Sequence, residues 1–408
     1  MYSKVHYAFR KINLYFHYFF FAVLASCTYT VKIKNEKEGK LISQYQLLVS
    51  GEKRILLDYE TAPQPPYMQM IQGANGERTL TLLNLYKNAI YFYDYEKAVY
   101  IGKVEYEKEG PDGIPRPAGY YIKNIDSIYV FNRPIELALT DSLGRVKQRI
   151  SLNNNSSRSD PWSLYYPQYQ LSTVNSFVET QGKLIMTGMN PFSVADSLIS
   201  KFRFTFCLDV KSDDIEFIHI YPEELYGSNA NWQDPVFTQV YRELSPNGDF
   251  VYSFPVSHNL YITSYGSNDY KTVYAGSNVA GIVHSIDDGR ERVPREELMM
   301  YFLQQDLYTA ILHDPYRYVY YRFMLQGIRD ATLNMSWKEK PVVVIIMDEQ
   351  FNYMGETVIG TRKEWNSDNT FVTSEGLVME YIDQDIDSVE EYLILKTFTI
   401  EKINEKHP

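Results

Sequence analysis

The sequence predicts an all-β fold, a β-propeller of six or seven four-stranded blades. Three observations predict it. Aromatic residues make up 15% of the 408-residue chain, 37 of them tyrosine, and such rings suit a half-buried pleated surface better than a helix. From residue 41 onward, short apolar or alternating segments are broken by turn residues at spacings near ten, and helical periodicity is scarce. The segment 41–405 is also too long for one sandwich, and it fits six or seven blades with long loops. The alternative is two β-sandwich domains joined near 153–168, where Asn153-Asn-Asn-Ser-Ser-Arg-Ser-Asp160 reads as a loop.

In chain order, residues 1–26 read as a signal peptide: Lys4, Arg10 and Lys11, then an aromatic-rich apolar run over 14–24, then small residues before Cys27. The run contains His17 and falls short of the ~20 residues that span a bilayer. Leu24-Ala25-Ser26-Cys27 resembles the bacterial lipoprotein box. That resemblance implies cleavage before Cys27 and acyl chains on its thiol, an anchor that binds without spanning. Thr28 is not the Asp of the inner-membrane retention rule, which points to the outer membrane, with the body facing the periplasm or the medium. Residues 27–40 are polar and mixed in charge and read as a lipidated tether.

Strands are expected over 45–50, 79–83, 89–93, 99–104, 127–131, 136–140, 146–152, 184–188, 202–209 and 216–220. They continue over 249–254, 259–263, 307–312, 318–325, 342–348, 356–359, 370–373, 377–381 and 391–400. Asp141-Ser-Leu-Gly144, Asn247-Gly248, Asp314-Pro-Tyr-Arg317 and Glu375-Gly376 supply the turn chemistry of hairpins. The 45–50 strand is placed to close the ring against 391–400. One helix is expected over 294–305, with Pro294 at its start, Glu296 and Glu297 in its first turn, and Leu298, Tyr301 and Phe302 on one face. Residues 221–226 read as a single helical turn.

The lipoprotein box, the length, Glu109-Gly-Pro-Asp-Gly113 ahead of Asp126-Ser-Ile-Tyr-Val-Phe131, and Asp314-Pro-Tyr-Arg-Tyr-Val-Tyr-Tyr-Arg-Phe323 resemble the six-bladed propeller lipoproteins of domain-of-unknown-function family 4221. The resemblance implies a fold and an address. It brings no activity and no site residues.

Composition and motifs narrow the function. Net charge is −11, and because the first 26 residues hold three basic side chains and no acid, the remainder carries −14. Such a body repels phosphate backbones and anionic lipid, and no Lys/Arg-rich stripe interleaved with aromatics compensates, so nucleic-acid binding is not expected. G-x-S-x-G, H-E-x-x-H, P-loop, G-x-G-x-x-G and C-x-x-C motifs are all missing. His219, His258, His284, His313 and His407 are scattered singly, so no metal site and no cofactor are expected. Cys207 lies within a strand-like segment and reads as a small buried hydrophobe. Asp383-Gln-Asp-Ile-Asp387 starts like a calcium loop, but Ser388 and Ile394 stand where its glycine and glutamate belong; Asn366-Ser-Asp-Asn-Thr370 is a weaker variant.

Two loops combine flat rings with amides and a carboxylate, the chemistry of a sugar-binding face. They supply Trp162, Tyr165 and Tyr166 from one segment and Asn231, Trp232 and Asp234 from another. Packing between blades is the competing explanation of the same rings. The function expected is therefore a lipid-anchored envelope module that binds a ligand, with a glycan the leading class, or that serves as a scaffold for an envelope protein. The alternative is a glycan hydrolase or lyase using paired carboxylates, with Glu223, Glu224 and Asp234 as candidates.

Overall fold

The computed structural model describes residues 30–73, 75–152, 166–191, 196–227, 230–286, 293–382 and 391–403. Two strands precede the first complete blade: β1 (Lys32–Ile33) and the long β2 (Tyr45–Leu56). Blade 1 then comprises β3 (Met68–Gln72), β4 (Arg78–Asn84), β5 (Ala89–Asp94) and β6 (Val99–Glu105). Blade 2 comprises β7 (Pro117–Asn124), β8 (Ser127–Asn132), β9 (Glu136–Thr140) and β10 (Val146–Ser151). Blade 3 is β11 (Val178–Thr180), β12 (Lys183–Thr187), β13 (Thr205–Asp209) and β14 (Ile215–Ile218). Blade 4 is β15 (Tyr241–Leu244), β16 (Phe250–Ser253), β17 (Asn259–Thr263) and β18 (Lys271–Tyr274). After the short β19 (Val283–His284), blade 5 is β20 (Leu307–Asp314), β21 (Val319–Leu325), β22 (Pro341–Asp348) and β23 (Tyr353–Thr361).

Blade 6 joins the two ends of the chain. Its inner three strands are β24 (Trp365–Val372), β25 (Leu377–Tyr381) and β26 (Tyr392–Lys402), and β2 is the fourth. The register runs from Tyr45↔Lys402 to Leu56↔Tyr392 with a bulge between Val49 and Gly51. The ring closes as the sequence predicts, and blade number resolves to six. Closure by a strand from the other end of the chain means that blade 6 cannot form until both ends have been ordered, and it leaves no open gap between first and last blade.

The middle strands of each blade are sandwiched between neighbouring blades, so their sequences are near-continuous apolar runs. Every residue of β21 is buried, as is the stretch 342–347 of β22. One charge is sealed among them. Arg322 is 0% exposed, and its guanidinium donates to Ser253 Oγ at 3.0 Å and to the carbonyls of Ser257, His258, Asn259 and Ala275 while lying 4.0 Å from the Tyr308 ring centroid. Burial lowers its pKa to about 10. It is structural, consistent with its place on a tyrosine-rich strand.

Four innermost strands, β3, β7, β11 and β15, were not legible from periodicity. They line the channel, where Gln, Glu and Arg side chains interrupt the apolar pattern, and β7 also holds Pro117 and Gly119. The turns were legible. Asp141 Oδ1 accepts from the amides of Leu143 and Arg145, and Gly144, at φ +76°, passes so near the Glu105 carbonyl that a Cβ there would lie 2.3 Å from it.

The ring has two unlike faces. One carries the short hairpin turns between the first and second and between the third and fourth strands. The other carries the connections between blades and between second and third strands, including the long stretches 152–177, 219–240, 275–306 and 326–340. The expected helix lies in the third of these, as α1 (Arg295–Gln304). Lys340 fastens its end, with Nζ donating to the carbonyls of Phe302 and Leu303 at 2.9 and 3.1 Å. Burial lowers that ammonium's pKa to about 7.

Residues 30–40 differ from the expected tether. They lie on the propeller, with Val31 9% and Asn35 4% exposed. Backbone amides of Val31 and Gly39 and the Asn35 side chain hydrogen-bond to the 275–285 stretch, while Lys32, Lys34 and residues 36–40 stay exposed.

Candidate functional site

All six blades contribute to one cavity of about 700 Å³ at the mouth of the channel, on the face with the long loops. Blade-to-blade connections bring Gln64, Pro65 and Pro66, then Gln170, Leu171 and Ser172, then Asp234, Pro235, Val236 and Gln239. Blade 2 adds Arg133, α1 adds Met299 and Phe302, and β20 and β21 add Leu307, Thr309 and Leu325. The last side is Trp337, Arg362, Asn366, Asp368 and Asn369. The volume suits a small-molecule ligand, and an apolar lining with a few fixed polar groups is the usual make-up of such sites.

Each polar group is held by its own local structure. Asp234 caps the helical turn Pro235–Thr238, its Oδ1 accepting from Val236 N at 2.9 Å. Thr238 Oγ1 then donates to the Asn190 carbonyl at 2.6 Å, and the Tyr221 hydroxyl donates to the Thr238 carbonyl at 2.6 Å, which fixes Gln239 at the cavity wall. Trp337 opens the 3₁₀ turn Trp337–Glu339, fastened by a reciprocal cap between Ser336 and Glu339. The Arg362 guanidinium lies 5.1 Å from the Trp337 ring centroid and pairs with Asp368 at 2.8 Å and Ser367 Oγ at 2.7 Å. Trp337 stays 36% exposed, the one tryptophan offering a ring to the cavity among the described residues.

The floor is a bulge in β24. Pairing with β25 jumps from Asn366↔Glu380 to Thr370↔Met379, so Ser367, Asp368 and Asn369 are extruded from the ladder. Asn369 then bonds in three directions: its Nδ2 donates to Glu380 Oε2 and to the Pro65 carbonyl, both at 2.6 Å, and its Oδ1 accepts from Thr173 Oγ1 at 2.6 Å. Asn366 Nδ2 also donates to Glu380 Oε2 at 2.7 Å. Glu380 is 3% exposed, and desolvation raises its pKa to about 7. The segment Asn366-Ser-Asp-Asn-Thr370 therefore ties blade 6 to the entries of blades 1 and 3. Among the described residues no three His, Cys, Asp or Glu side chains could hold a metal ion.

Three cavity residues present buried polar atoms with no protein partner: Gln239 Oε1, Thr309 Oγ1 and Arg362 Nε. Gln239 and Thr309 are 4% and 6% exposed, and the Arg362 side chain is 10% exposed. Six such atoms occur among the described residues, and half of them belong to residues that line this one space. Buried polar atoms are normally paired, so an acceptor, a donor and a hydroxyl left unpartnered on three residues of one cavity wall stand out.

Of the residues singled out from sequence, Asp234 lines the cavity. Trp232 does not: it is 1% exposed, stacked on Phe237 at 5.8 Å, with Nε1 donating to the Leu225 carbonyl at 3.0 Å. It is a core plug, and its ring has no face for a ligand. Asn231 is half-buried, its carbonyl accepting from Ile286 N at 2.8 Å. Tyr166 packs edge-on to Phe217 of β14, outside the set that lines the cavity. Trp162, Tyr165, Cys27 and residues 383–387 lie outside the described residues. The proposed carboxylates are divided, Glu223 and Glu224 lining a second cavity of about 370 Å³ and Asp234 the first. Cys207 is buried in β13, where desolvation lifts its thiol to about 12, as expected of a packing residue. No helix among the described residues is long and apolar enough to cross a membrane.

Comparison with known proteins agrees with this architecture. A crystal structure of a DUF4221 member from Bacteroides vulgatus superposes with a TM-score of 0.73 at 18% identity, over 88% of this chain and 99% of that one. At that identity the likeness is one of fold. A candidate exported protein of Bacteroides fragilis aligns over 88% of this chain and 96% of its own, with a TM-score of 0.48 and 8% identity. The extracellular domain of a one-component system of Bacteroides thetaiotaomicron aligns over 83% of this chain and 35% of that one, with a TM-score of 0.43 and 8% identity. A search among curated proteins finds no match. The profile of the domain of unknown function DUF4221 matches residues 44–358, from the closing strand through most of blade 5, and the chain belongs to that family.

Proposed function

We propose that the protein is a lipid-anchored binding module of the cell envelope, held at Cys27, whose channel-mouth cavity takes a glycan. The supporting observation is a cavity walled by the exposed Trp337, three of whose lining residues carry unpartnered polar atoms, Gln239 Oε1, Thr309 Oγ1 and Arg362 Nε. A sugar hydroxyl donates and accepts at once, and so completes acceptor and donor together. The C–H face of a pyranose can stack on the indole ring. Asp234, Asp368 and Gln170 add acceptors and an amide for further hydroxyls.

The test is a glycan array probed with wild type, Trp337→Ala and Asp234→Ala. Wild-type binding to a limited set of oligosaccharides, lost in Trp337→Ala while its melting temperature holds, is the expected outcome. Absence of binding to any glycan, or binding unaffected by Trp337→Ala, overturns the reading.

A further inference from the structure

Residues 30–41 are bonded to the connection that helps wall the cavity. Val31 exchanges two hydrogen bonds with Ser285, its amide donating to Oγ at 3.0 Å and its carbonyl accepting from Ser285 N at 2.9 Å. β1 then pairs with β19, Lys32↔His284 and Ile33↔Val283. Asn35 Nδ2 donates to the carbonyls of Ser277 and Ala280, both at 2.8 Å. Gly39 N and Leu41 N donate to the carbonyl and side chain of Asn278 at 2.9 and 2.8 Å. Every one of these partners belongs to the 275–306 connection, which carries α1 and brings Met299 and Phe302 to the cavity wall. Ile286 of the same connection bonds to the Asn231 carbonyl, three residues before Asp234.

Residue 30, the first described, thus lies on the cavity face, and only three residue steps separate it from Cys27. At ~3.5 Å per residue they reach about 10 Å. A strand such as the eight-residue β22 is about 26 Å long at ~3.3 Å per residue, so the hairpin-turn face lies more than twice that reach away.

We propose that the cavity-bearing face is the face turned toward the bilayer, with the phospholipid surface as its partner. The proposal rests on Cys27 as the acylated residue. Exposed apolar side chains on this face, Tyr59, Tyr86, Ile282 and Leu333, are placed to meet the interface, and Lys32 and the Glu36-paired Lys34 stand beside the anchor. A ligand of the cavity then approaches along the membrane surface.

The experiment uses the full chain, expressed with its leader, purified and reconstituted into phosphatidylethanolamine–phosphatidylglycerol vesicles. Hydroxyl-radical oxidation is read at Tyr59 and Tyr86 on the cavity face and at Tyr316 and Tyr318 on the opposite face. The comparison is a variant with a Gly/Ser spacer of about 20 residues after Tyr29, whose root-mean-square reach of about 25 Å frees the body to turn. Severalfold slower oxidation of Tyr59 and Tyr86 in wild type than in the spacer variant, with Tyr316 and Tyr318 unchanged, is expected. Equal rates at all four, or protection of Tyr316 and Tyr318 instead, overturns the orientation while leaving the anchor intact. Loss of the anchor itself is read separately, by metabolic labelling with a palmitate analogue: a wild type no more labelled than Cys27→Ala overturns both readings.

Discussion

Replacing Glu380 by Gln isolates the electrostatics beneath the cavity floor. Burial raises the Glu380 carboxyl from 4.5 to about 7, while the Asn369 and Asn366 amides, hydrogen-bonded to it, oppose the shift. Arg362 and Asp368 face the same group and act in opposite senses, the guanidinium lowering and the carboxylate raising its pKa. A carboxyl with a raised native pKa is fully protonated in both states below about pH 4.5. Between 4.5 and 7 the native state holds the proton and the unfolded state does not, so stability falls as pH rises. A difference of 2.5 pKa units corresponds to about 3 kcal/mol, fully lost above pH 7. Glutamine offers one carbonyl to the same two amides and never ionises, so its cost is independent of pH. Urea unfolding of wild type and Glu380→Gln at pH 5 and pH 8 is the assay. Glu380→Gln should gain about 3 kcal/mol on wild type between those two pH values. A constant difference between the two proteins refutes the reasoning.

Other predictions probe the frame. His219 accepts from the Tyr252 hydroxyl through Nδ1 at 2.7 Å and faces the Ser264 carbonyl with Nε2, and His258 repeats the arrangement with Tyr308 and Ile33. Burial lowers both to about 4, so the unfolded state binds more protons between 4 and 6.5 and stability drops on acidification by up to about 3 kcal/mol each; a His219→Gln variant should flatten that slope in pH-dependent melting. Arg322→Met leaves several buried carbonyls without a donor, at ~1 kcal/mol or more apiece, so the urea midpoint should fall by the equivalent of at least about 3 kcal/mol, and Arg322→Lys should recover only part of it. In Gly355→Ala a Cβ would lie 1.9 Å from the Tyr45 carbonyl, forcing the start of the closing strand outward. The expected cost is about 1–3 kcal/mol, with faster proteolysis around residues 40–45.

Legibility followed burial. β21 and β22 read correctly because neighbouring blades cover both their faces and leave unbroken apolar runs. The channel-lining strands, such as Met68–Gln72 and Tyr241–Leu244, alternate between core and a polar channel, and in so few residues that pattern resembles a loop. The site shared this obscurity, because its members run from Gln64 to Asn369 and no local spacing unites them. Asp234 was legible through its company of amides and proline. Trp232, from the same segment, was not, since a ring that plugs a core and one that binds a sugar look alike until burial is known. Trp337 carries no sequence signal beyond a capping serine, and Asn366-Ser-Asp-Asn-Thr370 looked like part of a cation loop because a bulge floor needs the same short polar residues. The docked segment had one trace, the alternation Val31-Lys-Ile33, within a composition that suits a free tether equally well.

Thr309→Val tests the central claim most directly. The substitution preserves shape and removes one of the three unpartnered atoms carried by cavity-lining residues, so stability should hold or rise by about 1 kcal/mol, since an unsatisfied buried hydroxyl costs that much or more. A ligand hydroxyl would lose its partner in the same step. Calorimetric titration with the oligosaccharide selected on the array should show affinity about tenfold weaker than wild type, the equivalent of ~1.4 kcal/mol, alongside an unchanged or higher melting temperature. Undiminished affinity in a folded Thr309→Val protein would contradict the assignment of these atoms to a ligand.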